Sequence, residues 1–183
     1  MEDDQGIAGS GMEALWAPWR LEYIVGPKTG DCFLCGAAVS GEDRAHRVLC
    51  RRGPVFLLLN RYPYNNGHLL VSPVRHVAGL EELTQEERLG LMNLTEEAIR
   101  AVRTCIQPQG FNLGVNLGQV AGAGLESHLH LHIVPRWSGD TNFMPVVGAV
   151  KVIPQALDDL WLRLSAELSG SKPAGPEGSG GAH

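Results

Sequence analysis

The chain has 183 residues, 44% of them hydrophobic and 19% charged, which is the composition of one globular domain with a sizeable core. Its formal net charge of −5 excludes a protein built to follow a nucleic-acid backbone, which needs clustered Lys and Arg. The longest apolar runs, Val55 to Leu59 and Val146 to Val150, fall far short of the roughly 20 residues of a membrane span. The acidic start, Met1-Glu2-Asp3-Asp4, has no apolar export core, so a cytoplasmic protein is expected. Four cysteines are too few for a disulfide scaffold. The anomaly is histidine: seven in all, three of them within five residues.

In chain order, residues 1–12 mix acids with Gly and Ser and are expected to be a disordered tail. The folded unit is expected to be a single domain over 13–168. Cys32-Phe-Leu-Cys35 is a C-x-x-C pair, open at this point to structural zinc, a redox dithiol or simple packing. A redox pair belongs at a helix start within a βαβ pattern, which is missing here. Val55 to Asn60 and His68 to Ser72 read as two strands joined by the Pro/Asn/Gly turn Arg61 to Gly67. Thr84 to Ile106 is the clear helix: Thr84 and Glu87 make a capping box, and Leu91, Leu94, Ala98, Ile99, Val102, Cys105 and Ile106 recur at helical spacing. Gln107-Pro-Gln-Gly110 ends it. Phe111 to Leu117 and Ser127 to Val134 are strand-like on either side of a glycine-rich turn. Ala156 to Leu168 carries Leu157, Leu160, Trp161, Leu164 and Leu168 on one helical face. Residues 169–183, SGSKPAGPEGSGGAH, have nothing large and apolar to bury and are expected to be disordered. The fold class is therefore α+β: an antiparallel sheet of about five strands, one long helix and a C-terminal helix.

The histidines fall in His128-Leu-His130-Leu-His132-Ile133. In a strand, alternate side chains share a face roughly 6.5–7 Å apart, so His128, His130 and His132 would line one face and Leu129, Leu131 and Ile133 the other. A helix would scatter them. Just upstream lies Val115-Asn-Leu-Gly-Gln-Val-Ala-Gly-Ala-Gly124. Glycines let backbone amides approach an anion closely, and Asn116 and Gln119 add side-chain donors, so this stretch is a candidate phosphate cradle with Gly122 and Gly124.

The His-x-His-x-His pattern with apolar spacers, ending Ile133-Val-Pro-Arg136, resembles the signature of the histidine triad (HIT) family of nucleotide hydrolases and transferases. Phe56 to Arg75, FLLLNRYPYNNGHLLVSPVR, is similar to the strand, turn and Gly-His strand of that family. Leu15-Trp-Ala-Pro-Trp-Arg20 and Gly139 to Pro145 resemble flanks of a bacterial subgroup that is diadenosine-tetraphosphate phosphorylase-like or fragile-histidine-triad-like. The similarity runs from about residue 15 to 165.

The resemblance implies an enzyme that cleaves adenine nucleotides or dinucleotides (dinucleoside polyphosphates or nucleoside phosphoramidates) at the α-phosphorus. His130 would be the nucleophile of a covalent nucleotidyl-histidine intermediate, with His132 and His68 beside it as the other catalytic histidines. Asn60 would bind the ribose, while Asn116, Gln119, Gly122 and Gly124 hold phosphate oxygens. Trp16 and Trp19 would help enclose the base. Ser127, the only hydroxyl just before the triad, should face the other way, which leaves the leaving-group acid unassigned. With Cys32 and Cys35, His76 and His128 match the positions that complete a structural zinc site in bacterial relatives; no organic cofactor is implied. A homodimer is implied as well, through the long helix and an edge strand. The alternative reading is a zinc-stabilised nucleotide-binding module with little turnover.

Overall fold

The computed structural model describes residues 32–140 and 156–170. The tails 1–12 and 171–183, the Leu15–Arg20 stretch with Trp16 and Trp19, the part of the Gly139–Pro145 stretch from Thr141 on, and the Val146–Val150 run lie outside the described residues. Helices α1 (Phe33–Val39) and α2 (Asp43–His46) lead into strands β1 (Val48–Arg52), β2 (Val55–Leu59) and β3 (Leu69–Pro73). The long helix α3 (Gln85–Ile106) follows, then β4 (Gly110–Val115), β5 (Leu131–Arg136) and α4 (Leu157–Leu168). The five strands form one antiparallel sheet in the order β1-β2-β3-β5-β4. Helices α1 and α2 and strand β1 are additions to the elements read from sequence.

The continuous apolar run of β2 is explained by burial on both faces. Val55, Leu57 and Leu59 join Leu69, Val71 and Ile133 in a core closed by Leu91, Leu94, Ala98 and Val102 of α3 and by Leu160 and Leu164 of α4. Phe56 and Leu58 look the other way, with Leu70, into a smaller cluster closed by Leu34, Ala37 and Ala38 of α1. The Trp161 indole N–H donates to Val48 O at 2.9 Å and fixes α4 to β1.

Helix α3 starts where expected. The Thr84 hydroxyl accepts from Glu87 N at 3.1 Å, and the Glu87 carboxylate accepts from Thr84 N at 2.8 Å. Glu87 also takes a two-pronged bond from Arg75 at 2.8 and 3.0 Å, so the cap anchors the loop that leaves β3. Gln107 ends the helix in the left-handed region at φ 48°. In the β2–β3 turn, Gly67 sits at φ +70°, and a Cβ there would meet Ile106 Cδ1 at 2.6 Å and Pro135 Cγ at 3.3 Å. Only glycine fits without displacing the residue before His68.

The strand read as Ser127 to Val134 begins only at Leu131. The β3–β5 ladder stops at the Val71–Leu131 pair. Two residues along β3, Pro73 has no N–H with which to extend it. Leu129 N–H donates instead to Val77 O at 2.6 Å, outside the sheet. The alternation survives the loss of the ladder: Leu129, Leu131 and Ile133 pack on the main core, so the histidines face the α1 side.

Candidate functional site

The three histidines expected on one face lie in separate environments. His128, fully buried, turns its Nδ1 toward Cys32 Sγ at 3.2 Å and Cys35 Sγ at 3.4 Å. His76 Nδ1 lies 3.1 Å from Cys35 Sγ. The four ligand atoms all lie within 4.8 Å of one another. Bonds of about 2.3 Å to sulfur and about 2.0–2.1 Å to nitrogen make a tetrahedral S···N edge of roughly 3.6 Å, so this donor set fits a closed four-ligand metal site. His128 Nε2–H donates to Pro73 O at 2.9 Å, which leaves Nδ1 as the lone-pair nitrogen aimed at the sulfurs. Burial, with the Cys32 sulfur next to it, pushes the Cys35 thiol up, so two thiolates here call for a cation between them.

The C-x-x-C pair does sit at a helix start: Cys32 caps α1, its sulfur accepting from Cys35 N at 3.5 Å. The helix runs on through α2 into the β1–β2 hairpin, not into a βαβ unit.

His130, 7% exposed, donates Nδ1–H to the main-chain oxygen of His128 at 2.8 Å. A carbonyl can only accept, so the neutral ring carries its lone pair on Nε2. Burial pushes the imidazole below its ordinary pKa, against the pull of that carbonyl, and holds it neutral at pH 7.

The same bookkeeping fixes the neighbouring rings. His68 is fully buried, and its Nδ1 accepts from Tyr64 N–H at 3.0 Å and from Asn60 Nδ2 at 3.2 Å. Its proton is therefore on Nε2 and is donated to His132 Nδ1 at 2.9 Å. His132 in turn carries its proton on Nε2. The His130 and His132 rings meet edge-on at 4.9 Å, and the Tyr64 ring stacks on His132 at 5.7 Å. The Asn60 Oδ1 accepts from Tyr62 N at 3.0 Å, which leaves one N–H and one lone pair of its amide for a ligand.

The glycine stretch folds as a single 3₁₀ turn over Gln119–Ala121, entered at Gly118 (φ 77°) and left at Gly122 (φ 83°). The amides of Ala121, Gly122 and Ala123 bond back to Gly118 O and Gln119 O, so those three are spent within the turn. Leu125 packs against the α1-side cluster, which brings the loop to the face that carries the histidines. Asn116 and Gly124 are half-buried, Gln119, Gly122 and Ser127 exposed. Among the described residues no hydrogen bond joins Asn116 or Gln119 to the histidines.

Tyr64, Ser72, Pro73 and Val77 also shape the site and were not singled out from sequence. Ser72 left a signal: a hydroxyl inside the apolar run Leu69-Leu-Val-Ser-Pro73 is out of place unless it has a partner. The carbonyls of Pro73 and Val77 leave none.

A family model described as HIT domain matches residues 42–139. The chain is 42% identical over 164 residues to the AP-4-A phosphorylase of Mycobacterium tuberculosis, covering 85% of this chain and 84% of that protein. A Zn-bound histidine triad family protein from Mycobacterium smegmatis superposes with a TM-score of 0.60 at 23% identity, over 77% of this chain and 95% of that one. The diadenosine triphosphate hydrolase of Plasmodium falciparum superposes with a TM-score of 0.53 at 17% identity, over 68% and 75%. At those identities the two structures establish the shared fold.

Proposed function

The chain belongs to the HIT domain family, and from that premise we propose that it cleaves dinucleoside polyphosphates at the α-phosphorus through a covalent nucleotidyl–His130 intermediate. The observation that carries this reading is the bond from His130 Nδ1–H to His128 O, which presents Nε2 as a lone pair on a neutral ring. Nε2 attacks phosphorus as the bond to the leaving polyphosphate breaks, and water or inorganic phosphate then takes the nucleotidyl group from the histidine. The M. tuberculosis relative is named a phosphorylase, which supports phosphate as the acceptor. His132, holding its proton on Nε2, donates to a phosphate oxygen where negative charge builds up. His68 keeps His132 in that tautomer. The free N–H and lone pair of Asn60 take a ribose hydroxyl, and the Asn116 and Gln119 side chains with the Gly124 amide meet the phosphates, while the Gly122 amide closes the turn that presents them.

Cys32, Cys35, His76 and His128 hold a zinc ion. With four protein ligands such an ion is structural and ties α1, the β3–α3 loop and the triad segment together. Strand β4 is the last in the sheet, with Leu113, Leu117 and Val120 exposed along and just beyond it. A homodimer through that edge completes the reading.

The test is incubation with diadenosine tetraphosphate, with and without inorganic phosphate, and separation of the products. ATP with ADP in phosphate, or ATP with AMP in water, is expected, and His130→Ala is expected to lower the rate at least 10³-fold, about what loss of a covalent nucleophile costs. Tight nucleotide binding without turnover in the unmodified chain would replace this reading with that of a binding module.

A further inference from the structure

His130 lies on a segment that the sheet does not hold, because the β3–β5 ladder ends at Leu131. Its position rests on the two peptide units before it. In the first, between His128 and Leu129, the N–H donates to Val77 O at 2.6 Å. A planar trans peptide then points His128 O the opposite way, at His130 Nδ1, 2.8 Å off. In the second, between Leu129 and His130, the carbonyl oxygen lies 2.8 Å from Ser72 Oγ. The Ser72 hydroxyl has one proton, and Leu129 O is nearer than its other acceptor, Pro73 O at 3.3 Å. Ser72 is fully buried in the middle of an apolar strand, a place where a hydroxyl costs stability unless it is used.

We propose that Ser72 is a positioning residue for His130, its hydroxyl pinning the Leu129–His130 peptide where the ladder fails and thereby setting both the aim and the tautomer of the imidazole. The inference rests on the reading of His130 as nucleophile. Without the hydroxyl the peptide is free to tilt, His128 O and Nδ1 lose their alignment, and Nε2 loses its line of attack.

A matched control exists in Thr95. It is also buried, and its hydroxyl also donates to a main-chain carbonyl, Leu91 O at 2.7 Å, but within α3 on the opposite side of the sheet. In the full-length chain, Ser72→Ala and Thr95→Ala are expected to lower the melting temperature comparably. With diadenosine tetraphosphate as probe in single-turnover experiments, Ser72→Ala is expected to form the nucleotidyl–histidine adduct roughly 10–100-fold more slowly with KM nearly unchanged, the size of effect a small misplacement brings. Thr95→Ala should keep the wild-type rate, and Ser72→Cys, a weak donor of similar size, should recover part of the loss. As a readout independent of turnover, ¹⁵N NMR of the His130 ring should show the Nδ1–H tautomer in the wild type and a mixture in Ser72→Ala. A wild-type adduct rate and tautomer in Ser72→Ala, or an equal slowing in Thr95→Ala, overturns the proposal. Absence of any adduct in the wild-type chain would refute the nucleophile reading instead, and the tautomer comparison would still decide the role of Ser72.

Discussion

The proton positions on His128, His130, His68 and, through His68, His132 are assigned by groups that can only donate or only accept. The His128 carbonyl settles His130, Pro73 O settles His128, and the Tyr64 amide settles His68 and through it His132. Three histidines alternating in sequence thus stand in three different settings, separated by their partners and not by their spacing, and these match the proposed roles of metal ligand, nucleophile and donor. The metal ligand gives a direct test. Purified chain is expected to contain one zinc per molecule by elemental analysis, and Cys32→Ser, which breaks the four-ligand set, is expected to lose it. The melting temperature of that variant should fall by roughly 10 °C, about 3 kcal/mol for a domain of this size. Undiminished zinc in Cys32→Ser, or a wild-type chain that never contains zinc, would refute the assignment.

At the scale of elements, the first turn of α3 has two jobs. The Thr84–Glu87 box closes the helix start, and the same carboxylate grips Arg75 in the loop that presents His76 and Val77 O to the site. The Arg75 guanidinium, followed by the Thr84 donors, holds the Glu87 carboxyl at about 2, well below its ordinary value. A carboxyl depressed in the folded state stabilises above its unfolded pKa, and that contribution drains away as pH falls from about 5 toward 2. Arg75 is half exposed, so solvent screening trims the effect to roughly 1–2 kcal/mol. Urea unfolding at about pH 7, 5 and 3 should therefore show the wild type losing more stability on acidification than Glu87→Gln. Parallel pH profiles for the two would show that the ion pair contributes nothing.

Over the whole molecule, the sheet separates two tasks. Its α3–α4 face carries the larger apolar cluster and most of the burial, while its α1 face carries a small apolar cluster and all the site histidines. Among the described residues β4 ends the sheet and pairs with β5 on one side, with Leu113 and Leu117 exposed along and just beyond it. Sedimentation equilibrium is expected to give twice the chain mass, and Leu113→Lys, which sets a charge into that edge, should shift it toward one. A wild-type monomer at micromolar concentration would discard the dimer. Among the described residues no helix is long and apolar enough to cross a membrane.

The sequence by itself determined the elements with strong local signals. The α3 boundaries follow from a capping box and a helical repeat, β2 from a short apolar run between turn residues, α4 from its apolar stripe. The segregation of histidines from leucines to opposite faces was also legible, because alternation needs only an extended chain. The small helices α1 and α2 and strand β1 were not, since runs of four to seven residues carry too little periodicity to read. The division of labour among the histidines was legible only through the resemblance to the histidine triad family, and the tautomer of each ring was not legible at all. The tautomer depends on carbonyls and amides contributed by Pro73, Val77 and Tyr64, backbone groups that every residue type possesses and that no side-chain pattern can announce. Tertiary structure decided those tautomers, because a proton on an imidazole is placed by whichever fixed donor or acceptor the fold brings within 3 Å or so.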